Sequence, residues 1–242
     1  MLITEKFVFI HVPKTGGDFI RRVCIRRLPE DWLVKTNIAK HGEDTDIPEE
    51  YRHLPRFALV RNPWDWHVSW YHYLMGSGRP DHHRDRVREQ NPWFVDLTDD
   101  FTLDFPATIR NLYQPDPDNP SSRRKLVRRA DREGVDLLTL HFRRQLSESI
   151  ADGSVTIGRF ENLRHDFHDF LSNNDVPLTD RFRVELFERP PVNRSKRSRY
   201  QEYFDDDLAA LLAGRASEII DAWGYTFEDV GDEAHGADPR ST

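Results

Sequence analysis

Short β-favouring apolar runs alternate along this chain with longer segments whose apolar residues recur at helical spacing. Phe7-Val8-Phe9-Ile10-His11-Val12 is a continuous run ended by Pro13, which predicts a buried strand. Gly16 and Gly17 follow, and then Phe19, Ile20, Val23 and Ile25 mark a helix. Arg56-Phe57-Ala58-Leu59-Val60 predicts a second buried strand. It runs straight into Arg61-Asn62-Pro63-Trp64-Asp65, where Asn62 suits a helix N-cap and Pro63 the first helical position. Trp66, Trp70 and Leu74 then fall along one side of a helix, at core spacing rather than as a stacking platform.

From about 76 to 132 the periodicity weakens. Gly78, Pro80, His82-His83, Pro115, Pro117 and Pro120 predict a loop-rich insertion with short helices. Regular patterning returns as a helix over 136–150, a strand at Val155-Thr156-Ile157-Gly158 and a helix over roughly 162–171. Leu208, Leu211, Leu212, Ile219 and Trp223 predict an amphipathic helix stopped by Gly224. The residues after Val230 read as a flexible acidic tail, 231–242. Strand–loop–helix units in this order imply an α/β, P-loop-like three-layer fold with a central mostly parallel sheet flanked by helices. One domain over 1–230, with the insertion at about 76–135, is the expected organisation. Ligands in such sheets bind at the carboxyl ends of the strands, where the two best motifs of this chain fall.

Composition narrows the functional classes. The 242 residues carry 35 Lys and Arg against 42 Asp and Glu, a formal charge of −7, which argues against a non-specific nucleic-acid binder. Cys24 is the only cysteine, so an intramolecular disulfide and a cysteine-based metal cluster are excluded, and a reducing, cytoplasmic setting is expected. The first residues lack a signal-peptide pattern, the run at 7–12 is too short to span a bilayer, and no membrane association is expected.

Two motifs carry chemistry. Pro13-Lys14-Thr15-Gly16-Gly17 lies between a strand and a helix. Its glycines permit a tight turn that brings backbone N–H groups onto an anion, the helix N-terminus adds a positive dipole end, and Lys14 adds a mobile cation. The lysine precedes the glycines, so this is not a Walker A loop; an ordinary turn between strand and helix is the alternative. The second motif places Arg61 at a strand end and Ser69 two helical turns on, where guanidinium and hydroxyl could donate to one phosphate. A local salt bridge and a solvated serine are the alternative there.

Taken together, the two motifs resemble those of the sulfotransferases that use 3′-phosphoadenosine 5′-phosphosulfate (PAPS), especially the carbohydrate-type branch and its bacterial relatives. The resemblance implies that Lys14, Thr15, Gly16 and Gly17 grip the 5′-phosphosulfate, and that Arg61 and Ser69 hold the 3′-phosphate. The segments Ile157-Gly158-Arg159-Phe160-Glu161-Asn162-Leu163 and Asn193-Arg194-Ser195-Lys196-Arg197 also look like the family. Lys196 and Arg197 complete the 3′-phosphate or adenine side, unless they form a solvated charge run. The likeness covers most of the chain except roughly 76–135, which is assigned to acceptor binding. The implied reaction is transfer of the PAPS sulfonate to a hydroxyl of a carbohydrate or other small molecule, leaving 3′,5′-adenosine bisphosphate (PAP), with no metal. A bacterial, cytoplasmic enzyme is the expected setting.

Lys14 is expected to stabilise the leaving phosphate, and a histidine to take the acceptor proton. His41 precedes the second strand at about the spacing of the base in the carbohydrate-type relatives and is the first candidate; a surface-loop histidine is the alternative. His141 lies in a segment resembling one that lines the active cleft, and is read as substrate-binding. His11 is read as packed beside the loop, and the loop pair His82-His83 as exposed rather than metal-binding. Asp18 departs from the family, which has Thr or Ser there. It could cap the helix, pair with Arg21 or Arg22, or weaken donor binding; the cap is favoured. A PAPS-binding module without turnover and a kinase-like phosphotransferase are the competing functions.

Overall fold

The computed structural model describes residues 1–80, 82–116, 118, 124–192 and 197–229. In chain order the elements are β1 (Leu2–Ile3), β2 (Val8–Phe9), α1 (Gly17–Arg27), β3 (Arg56–Val60), α2 (Pro63–Leu74), α3 (His82–Gln90), α4 (Pro92–Leu97) and α5 (Phe105–Tyr113). They continue with α6 (Lys125–Glu133), α7 (Leu137–Gln145), α8 (Ser147–Ala151), β4 (Val155–Arg159), α9 (Leu163–Asn173), α10 (Asp180–Glu188), α11 (Asp206–Arg215) and α12 (Ser217–Trp223). They divide into two compact units: residues 1–61 with 141–192, and 62–140 with 197–229.

The first unit contains the sheet, in the order β1-β2-β3-β4. β1 is antiparallel to β2, while β2–β3 and β3–β4 are parallel, so the expected α/β, P-loop-like arrangement around a mostly parallel sheet is present. Alternation assigns the two faces. Phe7, Phe9, Phe57 and Leu59 join Phe19, Ile20 and Val23 of α1, Leu163, Phe167, Phe170 and Leu171 of α9, and Phe182 and Leu186 of α10 in one core. Each of the larger fully buried side chains there contributes about 1.5–3 kcal/mol. Arg56 points to the opposite face, where it donates to Ser149 of α8 and to Ser154, both at 2.8 Å. Helices therefore cover both faces.

The first predicted strand is shorter than the run that encodes it. Ile10 still donates to the Phe57 carbonyl at 2.9 Å, but the chain leaves the ladder at His11, whose carbonyl is taken by side chains.

The second unit is helical. Asn62 caps α2 by accepting from the Trp64 and Asp65 N–H groups at 3.0 and 3.3 Å, as the sequence predicts. Trp64, Trp66 and Trp70 are buried, and Trp66 and Trp70 stack with centroids 6.2 Å apart. The weakly patterned stretch at 76–135 forms α3, α4, α5 and α6, so it is more helical than expected among the described residues. The helix expected over 136–150 is two helices, broken at Leu146. The helix expected over 208–223 also breaks, at Ala216, because the Arg215 carbonyl accepts from the Asp136 N–H at 2.9 Å.

Candidate functional site

The loop between β2 and α1 is built around two left-handed residues, Lys14 (φ 63°) and Gly16 (φ 85°), on either side of Thr15. That conformation is uncommon for a residue with a Cβ, and holding Lys14 in it costs about 1–3 kcal/mol. Close packing explains the glycines. A Cβ on Gly16 would lie 2.5 Å from Leu163 Cδ1 and 2.9 Å from Phe160 Cδ2, and one on Gly17 would lie 2.1 Å from His11 Cδ2. The Thr15 hydroxyl is turned inward and donates to the Val12 carbonyl at 2.9 Å, so it holds the loop's own shape. With α1 starting at Gly17, the helix presents its positive end to this loop.

Arg61 meets the same loop from the end of β3. It donates to the Lys14 carbonyl at 2.8 Å, and its guanidinium lies 4.0 Å from the centre of the Phe160 ring. Phe160 thus backs both Gly16 and Arg61; it falls in the family-like segment from Ile157 to Leu163, but the sequence gives it no role.

Ser69 and Arg197 belong to the second unit. Ser69 is buried on α2, four residues after Asp65 and hence on the same helical face. Asp65 is ion-paired with Arg197. Burial lowers the His72 pKa, and the Arg197 charge lowers it further, which sets that guanidinium against the Asp65–Ser69–His72 face. Lys14, Thr15, Gly16, Gly17 and Arg61 are thus brought together in one unit, and Ser69 and Arg197 in the other. Lys196 and the expected tail at 231–242 lie outside the described residues.

His41 is half-buried in a turn closed by a Gly42 N–H bond to the Ala39 carbonyl at 2.9 Å. Its Nδ1 lies 2.9 Å from the His11 carbonyl oxygen. A carbonyl can only accept, so Nδ1 carries the proton and Nε2 keeps its lone pair. Burial pushes the His41 pKa down; the His11 carbonyl and Asp18 oppose this in part, Lys40 adds to it, and the net value is below 6.5. The His11 and His41 rings have centroids 4.5 Å apart. His11 is buried beside Gly17, and burial, then the neighbouring His41 and Lys40, hold its pKa well below 6.5. Burial lowers His141 to about 4, with Arg144 and His41 contributing, so this ring is neutral and near His41. Gln145 was not anticipated: its amide reaches the same His11 carbonyl at 3.1 Å.

Asp18 does not cap α1, whose N-cap is Gly16 with no side-chain bond. Its carboxylate instead pairs with Lys40, 2.5 Å from Nζ to Oδ1. Partial burial pushes the Asp18 pKa up, but the Lys40 bond and charge outweigh this, helped by Arg22 and His41, and hold it below the usual carboxylate range. The favoured cap is therefore corrected: a left-handed Gly16 starts the helix, and a lysine distant in sequence claims the carboxylate.

A second polar cluster, unforeseen from the sequence, is buried in the helical unit. His67 Nδ1 donates to the Pro63 carbonyl at 2.7 Å, and its Nε2 is 2.5 Å from the Tyr113 hydroxyl. That hydroxyl accepts from the Leu137 N–H at 3.0 Å, while Asp136 caps α7 through Thr139 N–H at 2.8 Å. Burial lowers His67 to about 4 and raises Asp136 to about 6.

Among the described residues no group of three or more His, Cys, Asp or Glu could hold a metal ion, and no helix is long and apolar enough to cross a membrane. The pair His82-His83, expected to be exposed in a loop, instead opens α3, and His83 is buried, with its ring 2.7 Å from the Tyr73 carbonyl oxygen and 3.0 Å from an Arg86 nitrogen. No protein-family model matches the chain, and no curated protein matches it in sequence. Among solved structures, it is similar to mouse sulfotransferase SULT7A1 complexed with PAP, at 14% identity and a TM-score of 0.48, over 93% of this chain and 86% of that one. A likeness at that level transfers no residue role or ligand to this chain.

Proposed function

We propose that this protein is a PAPS-dependent sulfotransferase that moves the sulfonate group to a hydroxyl of a carbohydrate or other small acceptor. One observation carries the proposal: His41, with its Nδ1 proton committed to the His11 carbonyl, belongs to the same unit as the Lys14–Gly17 loop, and His11 packs against both. The loop has two properties a phosphate site needs, namely left-handed residues at Lys14 and Gly16 and a helix N-terminus. In the proposed reaction the acceptor oxygen attacks sulfur in line with the departing phosphate. The hydroxyl proton passes to His41 Nε2, the sulfur–oxygen bond to the 5′-phosphate breaks, and PAP leaves with its new charge compensated by Lys14. The motif resemblance assigns Arg61 and Ser69 to the 3′-phosphate, and Lys196 and Arg197 to the 3′-phosphate or adenine side. His141, held neutral, is assigned to the acceptor.

Calorimetry with PAP against ATP tests the donor assignment, and absence of PAP binding overturns it. Turnover of PAPS with a panel of hydroxyl acceptors, comparing wild type with His41→Ala, tests catalysis. The variant is expected to bind PAP normally and to lose about 10²–10⁴ in kcat. PAP binding without wild-type turnover would favour a binding module, the reading that Asp18 motivates.

A further inference from the structure

We infer that Gln145 is a positioning residue that holds His41 in the tautomer a base requires; this rests on the function proposed above. Gln145 ends α7 and is fully buried. Its amide nitrogen lies 3.1 Å from the His11 carbonyl oxygen and 3.4 Å from the Gly42 carbonyl oxygen. Both partners are acceptors, so the NH₂ end of the amide must face them, and each of its hydrogens has its own carbonyl.

The two carbonyls bracket His41. Gly42 is the next residue in the chain, and the His11 oxygen is the same atom that receives the His41 Nδ1 proton at 2.9 Å. The two lone pairs of the His11 oxygen are therefore shared between His41 and Gln145. The amide fixes the carbonyl that fixes the ring and ties down the backbone on the ring's C-terminal side. A solvated, neutral histidine side chain favours the proton on Nε2, which would leave no lone pair there for an incoming hydroxyl. Only a firmly held acceptor at Nδ1 reverses that preference. The Asp18–Lys40 pair is exposed and screened by solvent, so it restrains the same turn weakly. The buried amide is the stronger restraint.

Two variants test this. Gln145→Met keeps the volume of the side chain and removes both donors; Gln145→Glu keeps its shape and sets an ionised carboxylate against two carbonyls. Long-range ¹⁵N spectra of the histidine rings read the tautomer directly and need neither donor nor acceptor. Wild type is expected to show His41 protonated at Nδ1, and Gln145→Met to shift it towards Nε2. PAPS turnover by Gln145→Met should fall about tenfold or more in kcat, with KM for PAPS and the affinity for PAP unchanged. Gln145→Glu should be more severe. If either variant fails to fold, thermal unfolding shows it and the other carries the test. An unchanged His41 tautomer in Gln145→Met overturns the inference, as does a tautomer shift that leaves kcat within twofold of wild type. A wild type that neither binds PAP nor turns over PAPS overturns the sulfotransferase reading instead, and the tautomer measurement still stands.

Discussion

Lys40 Nζ lies 2.5 Å from Asp18 Oδ1, which ties the residue before His41 to the second residue of α1. The carboxylate stands immediately after the two glycines of the loop, and the lysine neutralises it. Replacing Asp18 with Ser removes a negative charge beside the loop and releases Lys40. Unit charges about 6 Å apart in water repel by roughly 0.7 kcal/mol, so PAP should bind Asp18→Ser about threefold more tightly. Calorimetry at two salt concentrations checks this, because the gain should shrink as salt rises. Weaker binding would give Asp18 a constructive part in donor recognition.

Lys14 combines a strained backbone (φ 63°) with the cation assigned to the leaving phosphate. Lys14→Gly relieves a strain of about 1–3 kcal/mol while loosening the unfolded chain at a cost of about 1 kcal/mol, so the two effects largely offset each other. Thermal unfolding should therefore change little, whereas PAPS turnover should fall about a hundredfold. A large loss of stability would show that the side chain holds the fold rather than the chemistry.

Gly17 has no room for a methyl group, because its Cβ would stand 2.1 Å from the His11 ring. Gly17→Ala must displace His11, and with it the carbonyl that orients His41. Overpacking of this kind costs about 1–3 kcal/mol. Denaturant unfolding should show that loss, and the ¹⁵N spectrum of His41 should lose its single tautomer.

The buried His67–Tyr113–Asp136 cluster makes a prediction in pH. His67 titrates at about 4 in the folded protein and near 6.5 when unfolded, so its stabilising contribution is lost as pH falls through that window. Asp136 titrates at about 6 folded against 3.8 unfolded, so its contribution is present below 3.8 and lost as pH rises through 6. The two slopes oppose each other between about pH 6 and 4. Asp136→Asn retains a capping side chain and removes one slope. Its stability should fall by ~2–3 kcal/mol more than that of wild type between pH 6 and pH 4. Urea unfolding at several pH values checks this, and parallel curves for the two proteins would contradict it.

The parallel sheet, the loop and the cap of α2 were legible because each depends on neighbours in sequence. Pro13 ends an apolar run, Gly16 and Gly17 supply the turn, and Asn62-Pro63 starts a helix whatever packs around it. The breaks at Leu146 and Ala216 were not legible. At Ala216 a distant N–H, that of Asp136, takes the carbonyl that would have continued the helix. Asp18 was misread for a similar reason: its local role as a cap lost to a lysine more than twenty residues away.

By itself, the sequence determined that a mostly parallel sheet carries a glycine turn between a strand end and a helix, and it marked His41, Lys14, Arg61 and Ser69 as candidate site residues. These follow from short-range rules: hydrophobic period, turn chemistry and the positive end of a helix. Only the tertiary structure decided which His41 nitrogen holds the proton, what Asp18 faces, that Gln145 meets the His11 carbonyl, and that Phe160 packs against Gly16 and Arg61. Each of these is set by atoms far apart in the chain meeting at hydrogen-bond or van der Waals distance, and no local pattern records such a meeting.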